Sequence, residues 1–111
     1  MKVIALIVSG GEGKRFDKKL PKQFFKINDK SILENCVKKF VDSNLFYKVV
    51  VVCNKDFMNV SKKILSKYKL SYVKGGNTRQ ESVYNGLKSI NKDFPNKVLI
   101  HDAVRPFFSK N

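Results

Sequence analysis

Three short stretches hold the residue types that anion and nucleotide chemistry needs: GGEGKRF at 10–16, GGNTRQES at 75–82 and HDAVRP at 101–106. Lysine is spread through nearly every segment, whereas arginine occurs only at Arg15, Arg79 and Arg105, one in each stretch. An arginine presents a planar fork of donors that grips phosphate or carboxylate through two oxygens, and lysine does not replace it. Glycine is similarly confined. Gly10, Gly11 and Gly13 lie in the first stretch, Gly75 and Gly76 in the second, and only Gly86 lies elsewhere.

GGEGKRF is not a P-loop, which needs four residues between its first Gly and Gly-Lys and then Ser or Thr. It is not a dinucleotide fingerprint either, because Phe16 stands where the third small residue belongs. Glycines let backbone N–H groups come close to an anion. Arg15 adds a fork, and Lys22 can reach the same anion from the Pro21 turn. This pattern fits phosphate binding; the plain alternative is a tight turn between strand and helix.

In GGNTRQES, two glycines precede a helix N-terminus, where free N–H donors are expected beside Asn77, Thr78 and Ser82. These groups suit the edge of a base or a sugar. Thr78 and Glu81 also have the spacing of a helix cap, and the two roles are compatible. In HDAVRP, Asp102 at a strand's carboxyl end is a candidate Mg2+ or ribose ligand. His101 is the only histidine, and a structural role is the simpler reading. Without a cysteine partner in spacing it makes no zinc site.

The bulk numbers bound the class. The 111 residues suffice for one compact domain, and 42% hydrophobic content with 9 Phe supplies a core. No apolar run approaches the roughly 20 residues of a membrane span. Cys36 and Cys53 are read as two buried free thiols of a reducing compartment, the cytoplasm. The net charge of +14 first suggests nucleic acid. The lysines form no dense block or aromatic-interleaved stripe, so the reading taken here is no nucleic acid and no membrane. The basic field still favours encounter with anionic substrates.

The elements that would position these stretches are legible. Val3–Val8 is a continuous apolar run, as in a strand buried on both faces. Ser31-x-x-Glu34 caps a helix whose apolar stripe is Ile32, Leu33, Val37, Phe40 and Val41. Val49–Cys53 is a second buried strand. Asp56 is expected to cap the next helix, with Val60, Ile64, Leu65 and Tyr68 inward. Ser71–Val73 is a third strand, Thr78-x-x-Glu81 opens a third helix through Ile90, and Pro95 precedes a last strand, Val98–His101. The order β-α-β-α-β-α-β predicts an α/β fold, a mainly parallel sheet with helices on both faces. Ligands bind such sheets at the carboxyl ends of strands, where all three stretches fall.

In this order the motifs GGEGKRF with PKQF, KSILE, GGNTRQESVYNGL and VLIHDAVRPF resemble the N-terminal half of the 2-C-methyl-D-erythritol 4-phosphate cytidylyltransferase family and its relative, ribitol-5-phosphate cytidylyltransferase. The resemblance implies a Rossmann-like, three-layer nucleotidyltransferase that uses CTP, a polyol phosphate and Mg2+, and a homodimer at full length. Carried over residue by residue, Arg15 and Lys22 would stabilise phosphoryl charge in the transition state. Ser9, Gly10, Gly11 and Gly13 would wrap the nucleotide. Gly76, Asn77 and Ser82 would read cytosine, with Arg79 in the same CTP-binding set. Asp102, Ala103 and Arg105 would border the ribose, metal and phosphates, and Asp102 would be the metal ligand.

Three residues depart from that family. Val8-Ser9 stand where Pro or Leu and then Ala are common, and Asn77 stands where Asp is common. Asn still offers a carbonyl to cytosine's amino group. The resemblance stops just after HDAVRPF, so residues 1–111 are expected to be the nucleotide-binding part of a truncated domain. Alone, they are expected to bind CTP weakly and turn over poorly. Another sugar-phosphate nucleotidyltransferase and, from a different class, a basic nucleic-acid-binding domain are the alternatives.

Overall fold

The apolar run at the start of the chain becomes the strand β1 (Val3–Ser9), and Ile4 through Ser9 are all buried. A strand covered on both faces has no polar side to alternate with. The computed structural model describes residues 1–9, 26–27 and 30–103. Gly10, Gly11, Gly13, Arg15, Lys22 and Arg105 lie outside the described residues. A short antiparallel pair follows, β2 (Lys26–Ile27) and β3 (Lys30–Ser31). The sequence reading does not anticipate it, since two-residue strands carry no period.

Helix α1 (Ile32–Ser43) starts where Ser31 accepts the Glu34 N–H at 2.9 Å, the expected cap. It ends on Asn44 in the left-handed region at φ 56°, a position that Asn tolerates better than most side chains. Next come β4 (Lys48–Cys53), α2 (Met58–Ile64), β5 (Ser71–Lys74), α3 (Arg79–Ile90) and β6 (Lys97–Asp102). One expectation needs correction. Asp56 caps no α-helix: it sits in a 3-10 turn, Lys55–Phe57, and its own N–H is taken by Asn54 Oδ1 at 2.7 Å. Helix α2 then begins without a side-chain cap. Asn54 competes successfully because an Asx side chain reaches the N–H two residues on.

The four-stranded sheet runs β5-β4-β1-β6 and every pairing is parallel. The chain steps outward from β1 to β4 and β5, then returns to the other side of β1 as β6. The strand order therefore reverses between β1 and β6, with Val8 level with Asp102. Period-two alternation splits the core into two layers. Ala5, Ile7, Val49, Val51 and Cys53 face Leu33 and Val37 of α1 and Leu65 just after α2. Ile4, Leu6, Val50 and Val52 face α3 through Ile90. Helices thus cover both faces, as the alternation predicts. No helix among the described residues is long and apolar enough to cross a membrane.

The end of the sheet opposite the strands' carboxyl ends is tied by Lys2. Its amide donates to Asn96 Oδ1 at 2.7 Å and its ammonium to the Asp93 carbonyl at 2.8 Å. Lys48 pairs with Asp93 at 2.9 Å beside it, which holds the Asp93 carboxyl below its ordinary range through that hydrogen bond. These contacts fix the turn Asn91–Phe94–Pro95, in which Phe94 takes φ 51°.

Candidate functional site

The crevice beside the carboxyl ends of β1 and β6 is where an open parallel sheet accepts ligands, because the loops on either side of the reversal diverge there. Ser9 ends β1 and is buried. Beyond Asp102, the amide of Ala103 donates to the Val8 carbonyl at 2.9 Å, so the ladder between β1 and β6 continues one step further. Ala103 is buried and Asp102 is half-exposed. Cys53, at the end of β4, is buried, and burial pushes its thiol up, away from reactivity. Cys36 is only half-buried, which corrects the expectation of two buried thiols; both remain unbridged.

The loop after β5 is wired to the first turn of α3. The Gly75 amide donates to the Cys53 carbonyl at 2.7 Å, extending the ladder between β4 and β5. The Gly76 amide donates to Ser82 Oγ at 3.0 Å, and the Asn77 amide to Glu81 Oε1 at 2.7 Å. Thr78 caps α3 by accepting the Glu81 N–H at 3.1 Å. Asn85 Nδ2 donates to the Lys74 carbonyl at 3.2 Å. The glycines are required by proximity: a Cβ at Gly75 would lie 2.7 Å from Ser82 Oγ, and one at Gly76 would run into the Glu81 side chain.

Of the first-turn donors of α3 the Glu81 N–H is taken by Thr78, and before the cap the Gly76 and Asn77 amides are each held by a side chain of the motif. The Glu81 carboxylate reaches past the cap to Asn77, so the box closes one residue earlier than its usual form. Asn77 itself is exposed, and its side chain has no hydrogen bond among the described residues.

Arg79 brings the second and third stretches together. Its Nε donates to Asp102 Oδ1 at 2.9 Å and its Nη2 to Oδ2 at 3.3 Å, a fork-on-carboxylate pair spanning 23 residues of sequence. The hydrogen bond to Asp102 raises Arg79 further above its ordinary range. Both side chains are substantially exposed, at 57% and 42%, so solvent screens the pair. Neither this pairing nor the reach of Glu81 is written in the local pattern. The single available signal is the confinement of arginine to the three stretches.

His101 packs its ring against Phe40, with centroids 5.1 Å apart and planes at 58°. It lines an apolar hollow of about 530 Å3 with Cys36, Phe40 and Phe46 between α1 and β6. A packed ring there agrees with its structural reading. Among the described residues no group of three or more His, Cys, Asp or Glu is placed to hold a metal. Asp102 offers one carboxylate. That suits Mg2+, which is commonly held by one or two carboxylates together with substrate phosphates, and does not suit an all-protein cage.

A sequence profile for the family described as IspD, 2-C-methyl-D-erythritol 4-phosphate cytidylyltransferase, matches residues 3–111. The protein of that name from Thermosipho africanus is 44% identical over 113 residues, covering 98% of this chain and 50% of that protein. The one from Petrotoga mobilis is 45% identical over 114 residues, with 98% and 50% covered. In three dimensions, the crystal structure of 4-diphosphocytidyl-2C-methyl-D-erythritol synthase from Anaerococcus prevotii superposes with a TM-score of 0.72 at 30% identity. It matches over 96% of this chain and 45% of its own. The chain spans about half the length of the curated relatives it matches. With the parallel sheet, its reversal point and the two loops joined across it, these matches place the chain in the 2-C-methyl-D-erythritol 4-phosphate cytidylyltransferase (IspD) family.

Proposed function

We propose that this chain forms the nucleotide-binding half of an enzyme that moves CMP from CTP to 2-C-methyl-D-erythritol 4-phosphate and releases pyrophosphate. An oxygen of the acceptor phosphate attacks the α-phosphorus of CTP. As that P–O bond forms, the bond from the α-phosphorus to the bridging oxygen breaks, and pyrophosphate carries the electron pair away. Such a transfer relies on positioning and on charge stabilisation rather than on a covalent protein intermediate.

The residues divide that work. Ser9, Gly10, Gly11 and Gly13 wrap the nucleotide, and Arg15 and Lys22 stabilise the charge that builds on the phosphoryl oxygens. Gly76, Asn77 and Ser82 read cytosine. The engaged amides of Gly76 and Asn77 favour recognition through acceptors, which match cytosine's amino group. Asp102, Ala103 and Arg105 border the ribose and the phosphates, and Arg79 belongs to the same set. Asp102, together with the triphosphate, would hold Mg2+, whose positive charge would offset the phosphates. The whole protein is placed in the cytoplasm as a homodimer; that part of the reading rests on the family resemblance.

The observation that carries the proposal is that Arg79, at the start of α3 after the edge strand β5, reaches Asp102 of β6 beside the reversal point of the sheet. The test is thermal unfolding of the chain with Mg2+ and CTP, ATP, GTP or UTP at two salt concentrations. CTP at a hundred times its Kd is expected to add about 2.7 kcal/mol of stability. The rise should be selective for CTP, should persist in salt and should disappear in Arg15→Ala, while Lys62→Ala and Lys92→Ala leave it unchanged. A well-folded chain with no preference for CTP would overturn the cytidine reading. Binding that falls steeply with salt and draws on many lysines would point to nucleic acid instead.

A further inference from the structure

The Arg79–Asp102 pair joins two residues to which the proposed function gives different partners, phosphate for one and metal for the other. In this structure each occupies the other. Both Asp102 oxygens accept from Arg79, at 2.9 and 3.3 Å. A metal must therefore compete with Arg79 for those oxygens, and the Nε–Nη2 edge of the guanidinium is committed to Asp102 rather than to phosphate. The pair is also easy to part, since exposed ion pairs are weak.

We propose that Arg79 and Asp102 form an exchange pair that makes nucleotide and divalent metal bind together rather than separately. This rests on the nucleotide reading given above. When the metal–triphosphate arrives, Asp102 leaves Arg79 for the metal, and the released guanidinium turns to the phosphate oxygens. Arg79 acts here as the competitor for Asp102, and Asp102 as the competitor for Arg79. Because binding couplings are reciprocal, metal tightens nucleotide by the same factor as nucleotide tightens metal. Either component alone must first break the pair and leaves one charged group without its partner.

The opposite-sign consequences of two single substitutions separate this role from a purely structural strap. Asp102→Asn frees Arg79, so CTP in EDTA should bind about fivefold more tightly than to the unaltered chain, and added Mg2+ should no longer help. Arg79→Gln frees Asp102, so Mn2+ alone should bind about fivefold more tightly, as followed by its electron paramagnetic resonance signal. A strap would behave otherwise: both substitutions would lower the melting temperature and weaken CTP in EDTA.

The measurements are CTP titration calorimetry in EDTA and in Mg2+, Mn2+ titration without nucleotide, and thermal unfolding of all three proteins. Unaltered Mn2+ affinity in Arg79→Gln overturns the exchange, as does weaker metal-free CTP binding in Asp102→Asn. Arg79→Lys keeps the charge without the fork and should fall between Arg79→Gln and the unaltered chain in Mn2+ affinity. If no protein binds CTP while Arg79→Gln still gains Mn2+ affinity, the nucleotide reading fails and the competition for Asp102 stands. If CTP binds selectively but neither gain appears, the function stands and the exchange is overturned.

Discussion

Ser82 Oγ lies 3.0 Å from the amide nitrogen of Gly76 and accepts its hydrogen bond, so a buried hydroxyl of α3 holds the loop that follows β5. Ser82 is three residues past the start of the helix and 3% exposed. Its position lets the rigid helix, packed on the sheet, set the path of a two-glycine loop that has no regular structure of its own.

Ser82→Ala therefore removes an acceptor from a partly buried amide donor. The expected loss is about 1–2 kcal/mol of unfolding free energy, read from urea denaturation. CTP affinity should fall by about tenfold, corresponding to about 1.4 kcal/mol, as the loop loosens. Unchanged stability would mean that the Gly76 amide finds another acceptor.

Gly86 sits on the inner face of α3, where a Cβ would meet both Leu6 methyls at 2.8 Å and Val52 at 3.0 Å. Alanine would gain about 1 kcal/mol of helix propensity. Leu6 is fully buried and both of its methyls are in the way, so it has little room to yield. Overpacking costs about 1–3 kcal/mol and outweighs the gain. Gly86→Ala should lower the melting temperature; a rise would show that α3 can lift from β1 and β4 without loss.

Tyr68 donates its hydroxyl to Glu34 Oε2 at 2.8 Å, linking the segment after α2 to the first turn of α1. Burial and then the Glu34 carboxylate push the phenol up to about 12. The neutral phenol is the form favoured by folding. This contribution is therefore complete below the ordinary value near 10 and is lost as pH rises from there through about 12. Melting temperatures across that range should fall for the unaltered chain and fall less for Tyr68→Phe, which starts lower. Parallel curves would remove Tyr68 as the titrating group.

The outer side of β6 has no strand beside it among the described residues, and Leu99 and Ile100 are 44% and 38% exposed on its two faces. Unpaired apolar edges template association. Light scattering should show self-association that rises with concentration and is reduced in Leu99→Lys. Equal scattering from the two proteins would acquit the edge.

The local patterns carried further than single motifs would suggest. Val3–Val8 and Val49–Cys53 read as buried strands because strands covered on both faces must be apolar throughout. Ser31 and Thr78 read as caps because a helix start needs a side-chain acceptor at a fixed offset, and both accept as expected. Asp56 failed by the same logic, since Asn54 offered a competing acceptor two residues earlier. The pair β2–β3 escaped because two residues carry no period.

Residue type and spacing thus determined the element order, the helix caps and the three stretches that gather arginine and glycine, since each depends on chemistry within a few residues. Arg15, Lys22 and the first glycines are known here through that chemistry alone. The tertiary structure decided what sequence distance conceals. It set the strand order β5-β4-β1-β6, with its reversal beside Ser9 and Asp102. It turned Glu81 back to Asn77 and closed Arg79 onto Asp102 across 23 residues. Strand neighbours and ion-pair partners are chosen by how whole layers pack, and no local pattern encodes that choice.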